Sequence, residues 1–209
     1  MNGYLGPVIA KYMDHLTHRL KERYGEVTLH IMQSNGGTMP AEIAKTHSAH
    51  LINSGPAGGA IAAAFISRLT GNEMAVGADM GGTTFDISII DKSLPKTTTW
   101  GGVTEYPIKL PMVDLKTIGA GGGSIAWVDE GGALHVGPQS AGSSPGPACY
   151  AWGGTLPTVS DANLVLGRLN PDYFLGGKLR LYPDLARKAV QDPTWPRASA
   201  AIPWKRDMT

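Results

Sequence analysis

The sequence predicts an α/β protein, and three features of its first half support that fold class. Apolar residues recur every three or four positions from Leu5 to Tyr24, which predicts an amphipathic helix that Gly25 ends. A short apolar segment, Val27 to Met32, is followed by the turn residues Ser34 to Gly37, as expected for a strand. An alanine-rich segment from Ala60 to Leu69 then predicts a second helix, which we expect to be buried.

The composition limits the possible functions. The 209 residues include 28 glycines and 15 prolines, yet 42% of residues are hydrophobic, which is enough for a packed core. The formal net charge of +1 argues against nucleic-acid binding. Cys149 is the only cysteine, so an internal disulfide and a cysteine-based zinc site are excluded. We find no apolar run near the roughly 20 residues of a membrane span and no signal peptide, which predicts a cytoplasmic protein without membrane contact.

The remaining elements are predicted from local patterns. Glycines from Ile118 to Ser124 predict a loop, and the aromatic content of the glycine- and proline-rich segment 138–157 predicts that it packs onto the body. We predict one domain over residues 1–191 and an irregular tail over 192–209. The other predicted strands are Met74–Ala78, Phe85–Ile90, Lys96–Trp100, Val103–Leu110 and a hairpin at Ile125–Val136; the other predicted helices are Thr158 or Ser160 to Leu169 and Asp184–Val190.

The segment Ala78 to Ser88 carries the strongest chemical signal, because it places acids and hydroxyls around a glycine turn between two apolar strands. Glycines let backbone N–H groups approach a phosphate without obstruction, and threonine hydroxyls add donors. A carboxylate at a strand end is suited to Mg²⁺ or its waters. The same pattern also fits an ordinary hairpin with acid-capped turns. The candidate residues are Gly81, Gly82, Thr83 and Thr84 for phosphate and Asp79 for magnesium, with Asp86 either binding the same ion or bracing the turn.

A pair of glycines and one aspartate keep two interpretations each. Backbone N–H groups of Gly121 and Gly122 could line a nucleotide or substrate cleft, or these glycines could let two segments pack closely. Asp114 could be a second carboxylate near magnesium, or a turn-forming residue.

Cys149 has no basic neighbour in the sequence and is expected to be a small buried residue rather than a nucleophile. Asp161 is expected to stabilise the first turn of a helix.

Asp79 to Ser88 resembles the second phosphate motif of the superfamily of ATPases that contains actin, hexokinase and the seventy-kilodalton heat-shock chaperones. Over roughly residues 2 to 190, the chain is similar to the A-type subunit of the hydantoinase/oxoprolinase family. The segments that carry this resemblance are Ile31–Gly37, Ser54–Ala60, Gly119–Ser124, Ser143–Tyr150 and Thr158–Leu169, in addition to the motif itself.

The resemblance implies part of an actin-like ATPase (ribonuclease H-like) lobe with a glycine-rich β insertion. It also implies ATP and Mg²⁺ as cofactors, a B-type subunit or domain as partner, and a small cyclic amide as substrate. The predicted function is the nucleotide-binding part of an ATP-dependent hydrolase that activates a ring such as 5-oxoproline or N-methylhydantoin by phosphorylation. Two alternatives stay open: a subunit of an ATP-dependent ketone carboxylase, and a nonenzymatic lobe that binds nucleotide weakly or only a B-type partner.

One departure from the family pattern affects the predicted activity. Members of the family carry a first phosphate hairpin in an amino-terminal region that has no counterpart here, so we expect an internal piece of a longer subunit that is inactive alone. The predicted site comprises Asp79 and Asp114 as catalytic residues, Gly81, Gly82, Thr83, Thr84, Gly121 and Gly122 as cofactor-binding residues, and Asp79 and Asp86 as metal ligands.

Overall fold

A computed structural model describes residues 1–103, 106–192 and 195 of the chain. It is a mixed α/β structure that divides into two compact units. Unit 1 consists of Met1–Asp79 and Asp86–Lys116, and unit 2 consists of Met80–Phe85 together with the described residues from Thr117 onward. No helix among the described residues is long and apolar enough to cross a membrane.

The predicted first helix is confirmed. Helix α1 ends at Gly25, which has a φ of 78° and donates its N–H to the Lys21 carbonyl at 2.9 Å. The buried face of α1 is narrower than its apolar spacing predicts, because Met13 is buried while Val8 and Tyr12 are exposed. The α-helices of the described residues are α1 (Asn2–Tyr24), α2 (Ala41–Thr46), α3 (Ser54–Thr70), α4 (Val159–Val165) and α5 (Pro183–Gln191).

The central sheet has the strand order β10-β4-β3, and β5 also pairs with β4. Other strands form two-stranded ladders: β1 with β2, β6 with β9, β7 with β8 and β11 with β12. The strands are β1 (His30–Met32), β2 (Thr38–Pro40), β3 (Ala75–Met80), β4 (Phe85–Asp91), β5 (Leu94–Pro95), β6 (Thr97–Thr98), β7 (Gly101–Val103), β8 (Tyr106–Ile108), β9 (Met112–Val113), β10 (Leu115–Ile118), β11 (Ser124–Val128) and β12 (Leu134–Ser140).

Several predicted strands are longer than the observed ones because their partners are short. The segment predicted as a strand from Val27 pairs only over His30–Met32, since its partner β2 is three residues long. The segment predicted at Lys96–Trp100 forms only the two-residue strand β6 against β9. The glycine turn after β1 is confirmed, and Gly36 has a φ of 84°.

The alanine-rich helix α3 positions the core of unit 1. Its alanines Ala57 and Ala60 pack with Val113, but Phe65 on the same helix is exposed, so only one face is buried. The helix begins at Ser54, and Asn53 at the N-cap has a φ of 61° without a side-chain capping hydrogen bond.

The core of unit 2 joins α4, α5 and the segment around Cys149. Cys149 packs with Leu164, Leu181 and Ala186, so the aromatic segment before α4 does pack onto the body as predicted. Helix α4 stops at Val165 rather than at Leu169, because Gly167 turns the chain with a φ of 72°. Most of the predicted tail lies outside the described residues; at its start, the Trp195 indole donates to the Val190 carbonyl at 3.0 Å.

Candidate functional site

The tip of the β3–β4 hairpin, Gly81–Thr84, is held by the glycine loop Gly121–Gly123 within unit 2. Three successive carbonyls of the tip accept hydrogen bonds from this loop. Gly122 N–H donates to the Gly81 carbonyl at 2.8 Å, Gly123 N–H to Gly82 at 2.6 Å and Gly121 N–H to Thr83 at 3.1 Å. The Ser124 hydroxyl adds a bond to the Thr83 carbonyl at 3.1 Å.

This pattern fixes the direction of the N–H groups at the tip. In a planar trans peptide the carbonyl and the N–H of the next residue point in opposite directions. Because the carbonyls of Gly81, Gly82 and Thr83 face the glycine loop, the N–H groups of Gly82, Thr83 and Thr84 point away from it. Consecutive N–H groups that point the same way form a concavity suited to an anion.

The glycine loop requires glycine because two backbones meet there. A Cβ on Gly121 would lie 2.5 Å from the Thr83 nitrogen, and a Cβ on Gly123 would lie 2.9 Å from the Gly82 carbonyl oxygen. The N–H groups of Gly121 and Gly122 already donate to the tip. Of the two interpretations of these glycines, the geometry supports close packing; direct cofactor contact by Gly121 and Gly122 stays a prediction.

A cavity of about 540 Å³ in unit 2 is lined on one side by Gly81, Gly82 and Thr83. The rest of its lining mixes polar groups with an apolar wall. The polar lining residues are Ser140, Ser143, Tyr150, Ser160 and Asn163, and the apolar wall includes Leu169 and Phe174. The predicted phosphate-binding tip therefore opens onto a space large enough for a small molecule.

The predicted acids lie in unit 1, and two of the three line one cavity. Asp79 and Asp86 both line a cavity of about 250 Å³, where Asp86 is buried and Asp79 is exposed. A Cβ on Gly59 of α3 would lie 3.6 Å from Asp79 Oδ2, so the helix backbone passes close to this carboxylate. Asp114 is not among the lining residues and pairs with the Lys116 ammonium at 3.3 Å.

The described residues contain no group of three or more histidine, cysteine or acidic side chains that could hold a metal. A magnesium ion at Asp79 and Asp86 would therefore need most of its ligands from water and phosphate oxygens, which is the coordination that Mg²⁺ commonly adopts. The residues present fit this role, and the assignment of Asp79, Asp86 and Asp114 stays a prediction.

Asp161 has a structural role larger than the sequence indicates. It forms a capping box with Thr158 at the start of α4, which confirms the prediction of a first-turn acid. The fully buried carboxylate also accepts N–H bonds from Cys149 at 2.8 Å and Ala148 at 3.3 Å. The spacing of Thr158 and Asp161 is the sequence signal for the cap, but no local pattern indicates the bonds to the preceding segment.

Two side chains beside Asp161 have shifted pKa values. Burial raises the pKa of the Cys149 thiol well above its ordinary value, and the nearby Asp161 charge adds to this effect. Burial also raises the pKa of the Tyr150 hydroxyl, although an interaction with Ser160 opposes the shift. At neutral pH both groups are therefore protonated, and Tyr150 is one of the residues that line the unit 2 cavity.

We expect Cys149 to be chemically inert in the folded protein. Its reaction with a disulfide reagent such as Ellman's reagent is expected to be at least ~100-fold slower than after denaturation, because the thiolate is the reactive form. The raised pKa favours the folded state below the ordinary thiol pKa of 9.0, and this contribution is lost as the pH rises further. Rapid labelling of Cys149 in the native protein at pH 8 would contradict the prediction that this thiol is inert.

A second polar cluster lies on the β11–β12 hairpin, where sequence analysis predicted strands only. The His135 ring stacks on Trp127 at a centroid distance of 4.5 Å, and its Nε2 lies 2.7 Å from Asp129 Oδ2. The histidine and the Ala133 N–H lower the pKa of the Asp129 carboxyl. These contacts fix the hairpin turn. The spacing of the three residues in the sequence matches no motif that would have predicted the contacts.

The comparisons with known proteins agree with a mixed α/β chain. The profile of the Hydantoinase/oxoprolinase family matches residues 1–194, and the chain belongs to that family. It is 39% identical to the caprolactamase subunit alpha of Pseudomonas jessenii, over 91% of this chain and 27% of that protein. It is 41% identical to 5-oxoprolinase 1 of Arabidopsis thaliana, over 83% of this chain and 13% of that protein.

A solved structure of nucleotide-free acetone carboxylase, an enzyme of ATP-dependent acetone carboxylation, superposes with a TM-score of 0.74. Its sequence is 32% identical, and the match covers 87% of this chain and 25% of that one. The chain thus spans less than a third of the length of the relatives it matches.

Proposed function

We propose that this chain is the nucleotide-binding part of an ATP-dependent enzyme that activates a small cyclic amide by phosphorylation. The observation that carries the proposal is the set of hydrogen bonds from the glycine loop to three successive tip carbonyls. From these bonds we infer that the N–H groups of Gly82, Thr83 and Thr84 point away from the loop. A row of such donors suits the phosphates of ATP. The Thr83 and Thr84 hydroxyls add further donors at the same turn.

The proposal includes an actin-like arrangement of the nucleotide site. Asp79 precedes Gly81 by two residues at the end of β3, and Asp86 follows the tip at the start of β4. These carboxylates would hold Mg²⁺ directly or through its waters, and the ion would neutralise phosphate charge. The chain itself supplies the donors and the fixed geometry, on which phosphoryl transfer mainly depends.

The proposed reaction has two stages. The amide oxygen of the ring attacks the γ-phosphorus, the bond to the β-phosphate oxygen breaks, and ADP leaves. Water then adds to the activated carbon, and the ring C–N bond breaks to leave an amine and an acyl phosphate. A second water hydrolyses the acyl phosphate, which releases phosphate and gives the open-chain amino acid. We assign the second stage to a B-type partner subunit or domain, as the similarity to the A-type subunit implies.

A ketone carboxylase subunit is the second candidate, and the structural similarity to acetone carboxylase favours it. Both reactions start with phosphorylation of a carbonyl or enolate oxygen. The nucleotide site therefore does not distinguish cyclic-amide hydrolysis from ketone carboxylation. The test is the substrate that stimulates ATP consumption by the complete chain with its B-type partner. Stimulation by a lactam supports the amide reaction, whereas a requirement for bicarbonate and a ketone would support carboxylation.

Replacing Asp79 with alanine is expected to remove the gain in ATP affinity that magnesium provides. In the complete chain we expect this gain to fall by at least ~10-fold, or ~1.4 kcal/mol, because the carboxylate no longer holds the ion. Isothermal titration calorimetry with and without Mg²⁺ measures it. Asp184→Ala, at an exposed position of unit 2, is the matched control.

An unchanged magnesium dependence in Asp79→Ala would contradict the metal assignment. If the unsubstituted complete chain binds a B-type partner but no Mg-ATP, the nonenzymatic alternative replaces the proposed function.

A further inference from the structure

We propose that the unit 2 cavity beside the hairpin tip binds the molecule to be phosphorylated, and that it selects an uncharged amide or ketone over one that carries a carboxylate. This inference rests on the proposed function and adds a substrate class to it. Its basis is the chemistry of the residues that line the cavity.

The polar groups of the cavity are all neutral. None of the described residues that line it is an acid, a lysine, an arginine or a histidine. Hydroxyl and amide groups of Tyr150, Ser160, Asn163 and Ser143 can donate to and accept from a carbonyl or an amide N–H. They supply no charge to neutralise a carboxylate.

Aromatic and aliphatic lining residues give the cavity a wall that suits an apolar ring. The Tyr150 and Phe174 rings lie 5.9 Å apart between centroids, and Leu169 lines the cavity with them. A volume of about 540 Å³ lies within the usual range for small-molecule sites. An aliphatic lactam or a small ketone would place its hydrocarbon part against this wall and its oxygen toward Gly81–Thr83.

A carboxylate would be poorly tolerated because none of the described lining residues carries a positive charge. Burial of a carboxylate without a charged partner is costly. Arg168 contacts a lining residue, with Nη1 3.4 Å from Asn163 Oδ1, but it is exposed and not part of the lining. Among the described lining residues, the cavity therefore offers a carboxylate no cation.

The test compares two rings that differ only in the carboxylate. 2-Pyrrolidinone and 5-oxoproline share a five-membered lactam, and their binding to the complete chain is measured by calorimetry with a non-hydrolysable ATP analogue and Mg²⁺ present. We expect 2-pyrrolidinone to bind at least ~10-fold more tightly. Equal or tighter binding of 5-oxoproline would overturn the inference.

Variants of the lining residues test whether 2-pyrrolidinone binds in this cavity. Ser143→Phe, at an exposed lining position, is expected to block 2-pyrrolidinone, and Tyr150→Phe is expected to weaken it several-fold by removing a donor. Tyr173→Phe is the matched control, because Tyr173 is exposed and does not line the cavity. Unchanged lactam affinity in Ser143→Phe would overturn the assignment even if Tyr150→Phe fails to fold.

The nucleotide measurement separates the two claims. If the chain and its variants bind Mg-ATP while 5-oxoproline is preferred, the substrate inference fails and the proposed function stands. If the unsubstituted chain binds no Mg-ATP, the proposed function fails, and the inference that rests on it fails as well.

Discussion

Replacing Asp161 with alanine is expected to destabilise unit 2 by ~3–5 kcal/mol, because a buried network of charge-assisted hydrogen bonds loses its acceptor. The carboxylate accepts from the Thr158 hydroxyl at 2.7 Å, the Thr158 N–H at 3.0 Å and the Cys149 N–H at 2.8 Å. In the variant these donors stay buried without a partner. The substitution removes both the cap of α4 and the tie to the segment at Cys149.

Urea unfolding of the complete chain, followed by the exposure of Cys149 to a thiol reagent, measures this effect locally. Asp184→Ala is the control, since Asp184 occupies the first turn of α5 with a side chain that is 98% exposed. We expect the control to change the unfolding midpoint little. Similar Cys149 exposure in both variants would contradict the structural role of Asp161.

Replacing Gly121 with alanine is expected to weaken Mg-ATP binding by at least ~100-fold, or ~2.7 kcal/mol, because the hairpin tip can no longer keep its position. The added Cβ would lie 2.5 Å from the Thr83 nitrogen and 2.6 Å from the Thr84 nitrogen. Backbone atoms at that distance must move. The N–H groups proposed to bind phosphate belong to this same backbone.

Gly119→Ala is the matched control in the same loop, since a Cβ there would meet no atom within 4 Å. Both variants are titrated with Mg-ATP, and their melting temperatures are compared with that of the unsubstituted chain. Equal loss of affinity in both variants would show that the effect is not specific to the contact between Gly121 and the tip. Full affinity in Gly121→Ala would contradict the proposed phosphate site.

Local turn chemistry made much of the fold predictable. Gly25 ends α1, and Thr158 with Asp161 caps α4, because each signal is a short-range effect of backbone geometry or side-chain length. Strand ends were less predictable, since β1 extends only over the three residues that pair with β2, a partner that its own sequence does not identify. The exposed face of α3 was missed because an alanine-rich sequence does not show which side is covered.

The candidate site was predictable in part for the same reason. The glycines and threonines of Gly81–Thr84 can be read as a phosphate turn from their own chemistry. The contact of Gly121–Gly123 with this turn joins segments far apart in the chain, so the sequence left two interpretations of those glycines. The hydrogen-bond directions favour packing and give the tip its donor geometry. The neutral lining of the unit 2 cavity comes from five separate segments and has no sequence motif.

Hydrogen–deuterium exchange of the complete chain tests the central claim most directly. Addition of Mg-ATP is expected to slow exchange in peptides that contain Gly82, Thr83 and Thr84, because their N–H groups become donors to phosphate. The turn at Asp129–Ala133 on the β11–β12 hairpin serves as an internal control and should not change. Slower exchange at the tip, with unchanged exchange at the control turn, would support the phosphate site. Unchanged exchange at Gly82–Thr84 while calorimetry records Mg-ATP binding would contradict it.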